Sequence, residues 1–200
     1  AIKKGTLSES LINKKCKRVL AAKYWLGLDK LKPVDTRNLI KDLNPEKTSE
    51  LNHWFAREAI TCIKNKNGHL PLKNEDLNDL AIVTIGETEA NMLHLRVNDY
   101  CKPDLFFLDK NATERQIAGI RKSIGNYANT IVVVQHTSNS PYRQYGLNAT
   151  IISAIERMSS AENTSLVYAG NPYALKKMRG IDNYRSILIT YHDNEYTRNY

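Results

Sequence analysis

The sequence holds no apolar run approaching the ~18 uninterrupted residues that a membrane-spanning helix needs. Nor does it hold cysteine in quantity. Its three, Cys16, Cys62 and Cys101, are too few and too widely spaced for a disulfide framework or a zinc site, and each sits in an apolar context that predicts a buried thiol acting as a small hydrophobe. GxGxxG is absent, and no aspartate or glutamate occurs between Glu114 and Glu156. AIKKGTLSES, at the N-terminus, has neither an initiating Met nor an apolar leader, so the chain reads as a processed product or a piece of something longer, and no compartment can be read from it.

What is present suits a globular chain. Hydrophobic residues make up 42% and charged residues 25%, and a fold of 200 residues buries about 70% of its extended-chain surface, so a real core can form. The net charge of +8 is concentrated at one end. Residues 1–50 hold 12 Lys/Arg against 6 Asp/Glu, and the other 150 are nearly balanced. The basic KKCKR lies on a helix with an apolar opposite face, and no interleaving of aromatic and basic residues follows it, which argues against nucleic acid.

Residues 11–26 repeat apolar side chains at helical spacing until Gly27. A linker over 27–44 follows, with some helical character at 36–43. Asn44-Pro45-Glu46 then reads as the start of a second helix, whose apolar face is predicted to run through Leu51, Phe55, Ala59 and Cys62/Ile63 to a cap at Asn65-Lys66-Asn67-Gly68. Leu70-Pro71-Leu72 reads as extended chain.

Beyond Leu80 five short apolar runs, at 81–86, 104–109, 130–135, 165–170 and 186–191, alternate with helical stretches at 89–100, 113–124, 144–158 and 172–178. That alternation predicts parallel βαβ units with helices on both faces: an α/β fold, a three-layer α/β/α sandwich with a mainly parallel sheet of about five strands, preceded by a helical linker segment. Its domains are expected at 1–44 and 45–200, the second incomplete at its C-terminal end. Ligands of such sheets collect at the C-terminal strand ends.

Three of those ends carry notable residues. Gly86-Glu87-Thr88-Glu89 would repel a pyrophosphate, and reads as a turn that caps the next helix through Thr88. Gln135 to Arg143, the longest polar loop, offers Ser138, Asn139, Tyr142 and Arg143 as contacts for sugar hydroxyls or a carboxylate; a solvent-exposed turn of Asn and Ser explains it equally well. A Ser-His nucleophile pair there would need an orienting carboxylate that the loop lacks. Tyr191-His192-Asp193-Asn194-Glu195 groups metal-ligating types at awkward spacing and reads as a helix start capped by Asp193 or Asn194.

The order RVLAAKYWLGL (18–28), linker, AREAITCIKNKNGHLPL (56–72), AIVTIG (81–86), with the K-N-x(4)-L-P-L junction, resembles the boundary between the two domains of family 3 glycoside hydrolases. NPYALKKM (171–178) and ILITYHDNE (187–195) are similar to segments of the same family, and the wording overall is most similar to secreted or periplasmic enzymes of Bacteroidetes-type bacteria. The resemblance implies the C-terminal (α/β)6 sandwich of a retaining exo-β-glycosidase that uses no cofactor. It also implies a nucleophilic Asp on an N-terminal barrel, which is the expected partner and of which only a last helix is present, so this chain alone should be inactive. In the β-glucosidase branch an acid/base Glu sits in a loop like V-V-V-G-E-x-x-Y-x-E; here IVVVQHTSNSPYRQYGLN has no carboxylate. The β-N-acetylglucosaminidase branch carries its proton donor on the barrel, and a loop of Ser, Asn, Tyr and Arg fits that branch. Catalytic residues are therefore expected outside the chain, with Ser138, Asn139, Tyr142 and Arg143 as substrate contacts. The rival expectation is a non-catalytic, flavodoxin-like module that binds a partner domain.

Overall fold

The computed structural model describes residues 5–33 and 35–200. The reading of the extreme N-terminus at 1–4, and Val34 within the linker, lie outside the described residues. Two compact units emerge, one through Pro45 and one from Glu46 to Tyr200.

The first unit contains α1 (Glu9–Trp25) and α2 (Leu39–Leu43). Ser8 caps α1 by accepting the Leu11 N–H at 3.2 Å, and Gly27 ends it at φ +72°, a conformation that costs glycine nothing. None of the residues of either helix is buried. The apolar side chains that give α1 its periodicity are exposed, Val19 at 55% and Leu20 at 57%.

The second unit is a six-stranded sheet in the order β1-β6-β5-β4-β2-β3, with β1 antiparallel and the rest parallel. Its strands are β1 (Thr61–Asn65), β2 (Leu80–Ile85), β3 (Asp104–Leu108), β4 (Asn129–Val134), β5 (Thr164–Tyr168) and β6 (Ser186–Ile189). The five apolar runs are β2 to β6, as expected of βαβ units. The sixth strand is a correction, because the apolar spacing predicts the last turn of a helix at Thr61–Asn65. The helix, α3 (Glu46–Ala59), stops earlier: β-branched Thr61 and Ile63 belong to a strand that pairs with Ile189 to Ser186 of β6 across an edge that would otherwise be open.

Side chains alternate across the pleat. Val83, Val132, Leu166 and Ile187 are matched in register on one face, and there they meet Ile117, Ile151, Ile155 and Met158 of α5 (Glu114–Ile124) and α6 (Ala149–Met158). Each such aliphatic removed from water contributes about 1.5–3 kcal/mol. The other face, with Ile82, Ile131, Val133, Val167 and Leu188, lies under α4 (Met92–Val97) and the last turn, 197–199; a cavity of about 450 Å³ separates them. Helices therefore flank the sheet on both sides.

Several boundaries move. Thr113 caps α5 in a reciprocal box with Gln116, but α4 is capped by Asn91 rather than Thr88, and α6 begins only at Ala149, after positive φ angles at Gln144, Tyr145 and Gly146. The 172–178 stretch is a 3-10 turn, Pro172–Lys177. The cysteines are the clearest correction: Cys16 and Cys62 are exposed and Cys101 is half-buried. Cys62 lies on the outermost strand and Cys16 on a helix with no buried residue, so an apolar sequence context did not translate into burial.

Candidate functional site

The strand order reverses direction between β2 and β4, and at such a switch point the loops at the C-terminal strand ends diverge and leave a crevice. Here Gly86 decides how closely the two ends approach. It stands at φ +106°, and a Cβ built on it would lie 2.6 Å from the carbonyl oxygen of Gln135, a backbone atom that cannot swing away. Only glycine permits that contact. It places Glu87, just past β2, against His136, just past β4.

The result is a compact polar centre. Glu87 Oε1 lies 2.9 Å from His136 Nε2 and 3.2 Å from a terminal nitrogen of Arg198, and accepts from Asn91 Nδ2 at 3.1 Å. Asp193, delivered by the chain after β6, accepts the His136 backbone N–H at 2.7 Å and the Arg198 Nε–H at 2.7 Å. Hydrogen bonding to Asp193 holds the Arg198 guanidinium above its ordinary value, and partial burial opposes the shift. His94 of α4 sits beneath. Its Nδ1 accepts the Asn91 N–H at 3.0 Å, so the neutral ring carries its proton on Nε2 and donates to Thr84 Oγ1 at 2.8 Å; burial pushes its pKa down.

Sequence reasoning misses this centre. It looks for an orienting carboxylate inside the Gln135 loop, whereas Glu87 arrives from a strand adjacent in the sheet but distant in sequence. The available signal is Gly86 itself at a strand end. Asp193, expected to cap a helix, turns inward to Arg198 and His136. Asn194 does cap, accepting the Thr197 N–H at 3.0 Å.

The predicted contact residues lie on the neighbouring loop. Its shape is set by Ser138 N–H donating to Tyr145 O at 2.8 Å and Tyr145 N–H to Ser140 O at 3.0 Å, with Leu147 buried as the anchor. Ser138 is half-buried and its Oγ accepts the Ser140 N–H at 3.2 Å, so it supports its own turn. Asn139, Tyr142 and Arg143 are exposed, Tyr142 at 98%. Beside them His136, Asn139, His192 and Asp193 line a polar hollow of about 270 Å³. The structure brings Asn139 to the polar centre and leaves Tyr142 and Arg143 on the open surface.

Dense donors and acceptors around a shallow hollow suit a hydroxyl-rich ligand. A serine nucleophile does not fit: His136 bonds a carboxylate, and among the described residues no serine hydroxyl is one of its hydrogen-bond partners. Among the described residues no group of three or more His, Cys, Asp or Glu side chains could hold a metal ion, and no helix is long and apolar enough to cross a membrane.

No family model matches the sequence, and no curated protein does. Solved structures do. A family 3 β-N-acetylglucosaminidase from Paenibacillus sp. str. FPU-7 superposes on 100% of the chain with a TM-score of 0.62 and 17% identity. The chain has the fold of the family 3 glycoside hydrolase C-terminal domain. A β-glucosidase from Listeria innocua in complex with isofagomine covers 98% of it, with a TM-score of 0.62 and 15% identity, and the β-glucoside phosphorylase BglX covers 98%, with 0.62 and 17%. The chain spans 38%, 31% and 36% of those three proteins. The family 3 sandwich is thus a part of each, and in this chain its switch point carries Glu87, His136, Asp193 and Arg198.

Proposed function

We propose that this chain is the sandwich part of a retaining exo-β-glycosidase that hydrolyses β-linked N-acetylglucosamine or a related sugar, with the nucleophile on a barrel elsewhere in the same protein. The observation that carries the reading is the likeness over the whole chain to part of several glycosidases, joined to a strand-end loop that offers no free carboxylate. Glu87, the acidic side chain nearest that loop, is taken up by His136, Arg198 and Asn91. On this reading Ser138, Asn139, Tyr142 and Arg143 line the mouth of the site as contacts and not as catalysts, the barrel is the partner, no cofactor is used, and the setting is secreted or periplasmic.

The test compares aryl N-acetyl-β-glucosaminide and aryl β-glucoside as substrates for the longer protein and for this chain alone. The longer protein should prefer the first and the chain alone should turn over neither. Alanine at Tyr142 and Arg143 should raise KM and leave kcat nearly unchanged; if neither parameter moves, the loop is scaffold. Preference for the glucoside would favour the β-glucosidase branch. One observation favours the second reading, a module that only binds a partner: the apolar side chains of α1 are exposed throughout. Tight sugar binding by the chain alone, with no turnover by the longer protein, would support it.

A further inference from the structure

Two loops at the C-terminal strand ends, 136–147 after β4 and 169–178 after β5, meet side by side. Gly170 makes the approach feasible: a Cβ there would collide with Thr137 Oγ1, which instead donates to the carbonyl of Ala169. Asn171 Nδ2 donates to Asn139 O at 3.4 Å, and the Lys177 ammonium lies 5.2 Å from the centre of the Tyr145 ring. The two loops therefore form one surface.

Its chemistry is one-sided. Across both loops there are three permanent cations, Arg143, Lys176 and Lys177, and no aspartate or glutamate. None of the three takes part in an ion pair among the described residues. Two flat rings stand out of the same surface, Tyr142 at 98% and Tyr173 at 65% exposure. The Tyr173 ring has a ready-made charge beside it, Lys176 at 5.4 Å from its centre. A tyrosine exposed to that degree gains little for folding, and uncompensated cations gain nothing; both are inexpensive to desolvate against a ligand that has faces to stack and anions to pair.

We propose that this surface binds an anionic saccharide, with sugar rings on Tyr142 and Tyr173 and the carboxylate or sulfate groups on Arg143, Lys176 and Lys177. The choice of a saccharide over another polyanion rests on the glycosidase reading; the choice of an anionic one rests on the charge of the two loops. The surface lies beside the polar hollow at Asn139 and extends it, so it would select negatively charged glycans over neutral ones.

The experiment is titration calorimetry of the 200-residue chain with a sulfated oligosaccharide, a uronic-acid oligosaccharide, a neutral chito-oligosaccharide and a single-stranded oligonucleotide, at low and high salt. An anionic glycan should bind about tenfold or more tightly than the neutral one, and binding should weaken as salt shortens the screening length. The Y142A/Y173A and K176Q/K177Q variants change exposed side chains only, and each should lower the affinity about tenfold while leaving the circular dichroism spectrum unaltered. No binding of either anionic glycan, or binding that both variants leave intact, overturns the proposal. Oligonucleotide binding as tight as glycan binding, lost in the same variants, would keep the basic aromatic surface and overturn the glycosidase reading on which the saccharide rests.

Discussion

Gly86→Ala should be among the most damaging single-atom additions to this protein, and its cost can be worked from two terms. An L-residue forced into a positive-φ conformation costs about 1–2 kcal/mol. The new Cβ would also sit 2.6 Å from Gln135 O, closer than real Cβ contacts come, and relieving it means separating the ends of β2 and β4. Overpacking of that kind costs about 1–3 kcal/mol, so the variant should lose about 3 kcal/mol in total. For a urea dependence of about 2 kcal/mol per molar, the midpoint of unfolding by circular dichroism should fall by about 1.5 M. Gly119 supplies the control. It lies inside α5, and a Cβ added there would meet nothing within 4 Å, so Gly119→Ala should raise stability by about 0.5–1 kcal/mol. An unchanged midpoint for Gly86→Ala, or equal losses for both variants, would refute the claim that close approach at the switch point requires glycine.

Other tests probe the core and the pH response. The Tyr184 hydroxyl, fully buried, donates to Ile155 O at 2.6 Å, whereas the Tyr168 hydroxyl is buried with no partner among the described residues; burial pushes both phenols far above the usual tyrosine range. Tyr184→Phe should therefore cost about 1 kcal/mol in urea unfolding, and Tyr168→Phe should be neutral or stabilising. Thr113→Ala removes the cap of α5 and should cost about 1 kcal/mol by the same assay. His94 and His69 are both held below the ordinary histidine value, chiefly by burial. The folded state then binds fewer protons than the unfolded state, so their contribution is present above pH of about 6.5 and is lost as pH falls below it. Stability should drop as pH falls through about 6.5, and His94→Gln should flatten that drop; an unchanged slope in the variant would exclude His94 as a source.

The parts of the fold that are legible in the sequence are those set by local pattern. Apolar runs such as 130–135 are strands because they are buried on both sides, and Thr113 with Gln116 declares a helix start within one turn. Thr61–Asn65 misleads because it continues the spacing of Leu51, Phe55 and Ala59, and only its pairing with β6, at the far end of the chain, makes it a strand. The site divides in the same way. Asn139, Tyr142 and Arg143 stand out because one loop carries them. Glu87, Asp193 and Arg198 do not, since they come from strand ends remote from the Gln135 loop in sequence and only the sheet order unites them around His136. Cys16 and Cys62 mislead for a related reason: apolar neighbours in sequence do not bury a side chain unless another element packs over it.

The central claim is that this sandwich works as part of a glycosidase whose catalytic groups lie elsewhere. It is tested most directly by following the anomeric configuration of the product by proton NMR as the longer protein acts on an aryl N-acetyl-β-glucosaminide, with the 200-residue chain as the parallel sample. The account predicts release of the β-anomer first, by the longer protein only. Hydrolysis by the chain alone, or no hydrolysis of any β-glycoside by the longer protein, would contradict it.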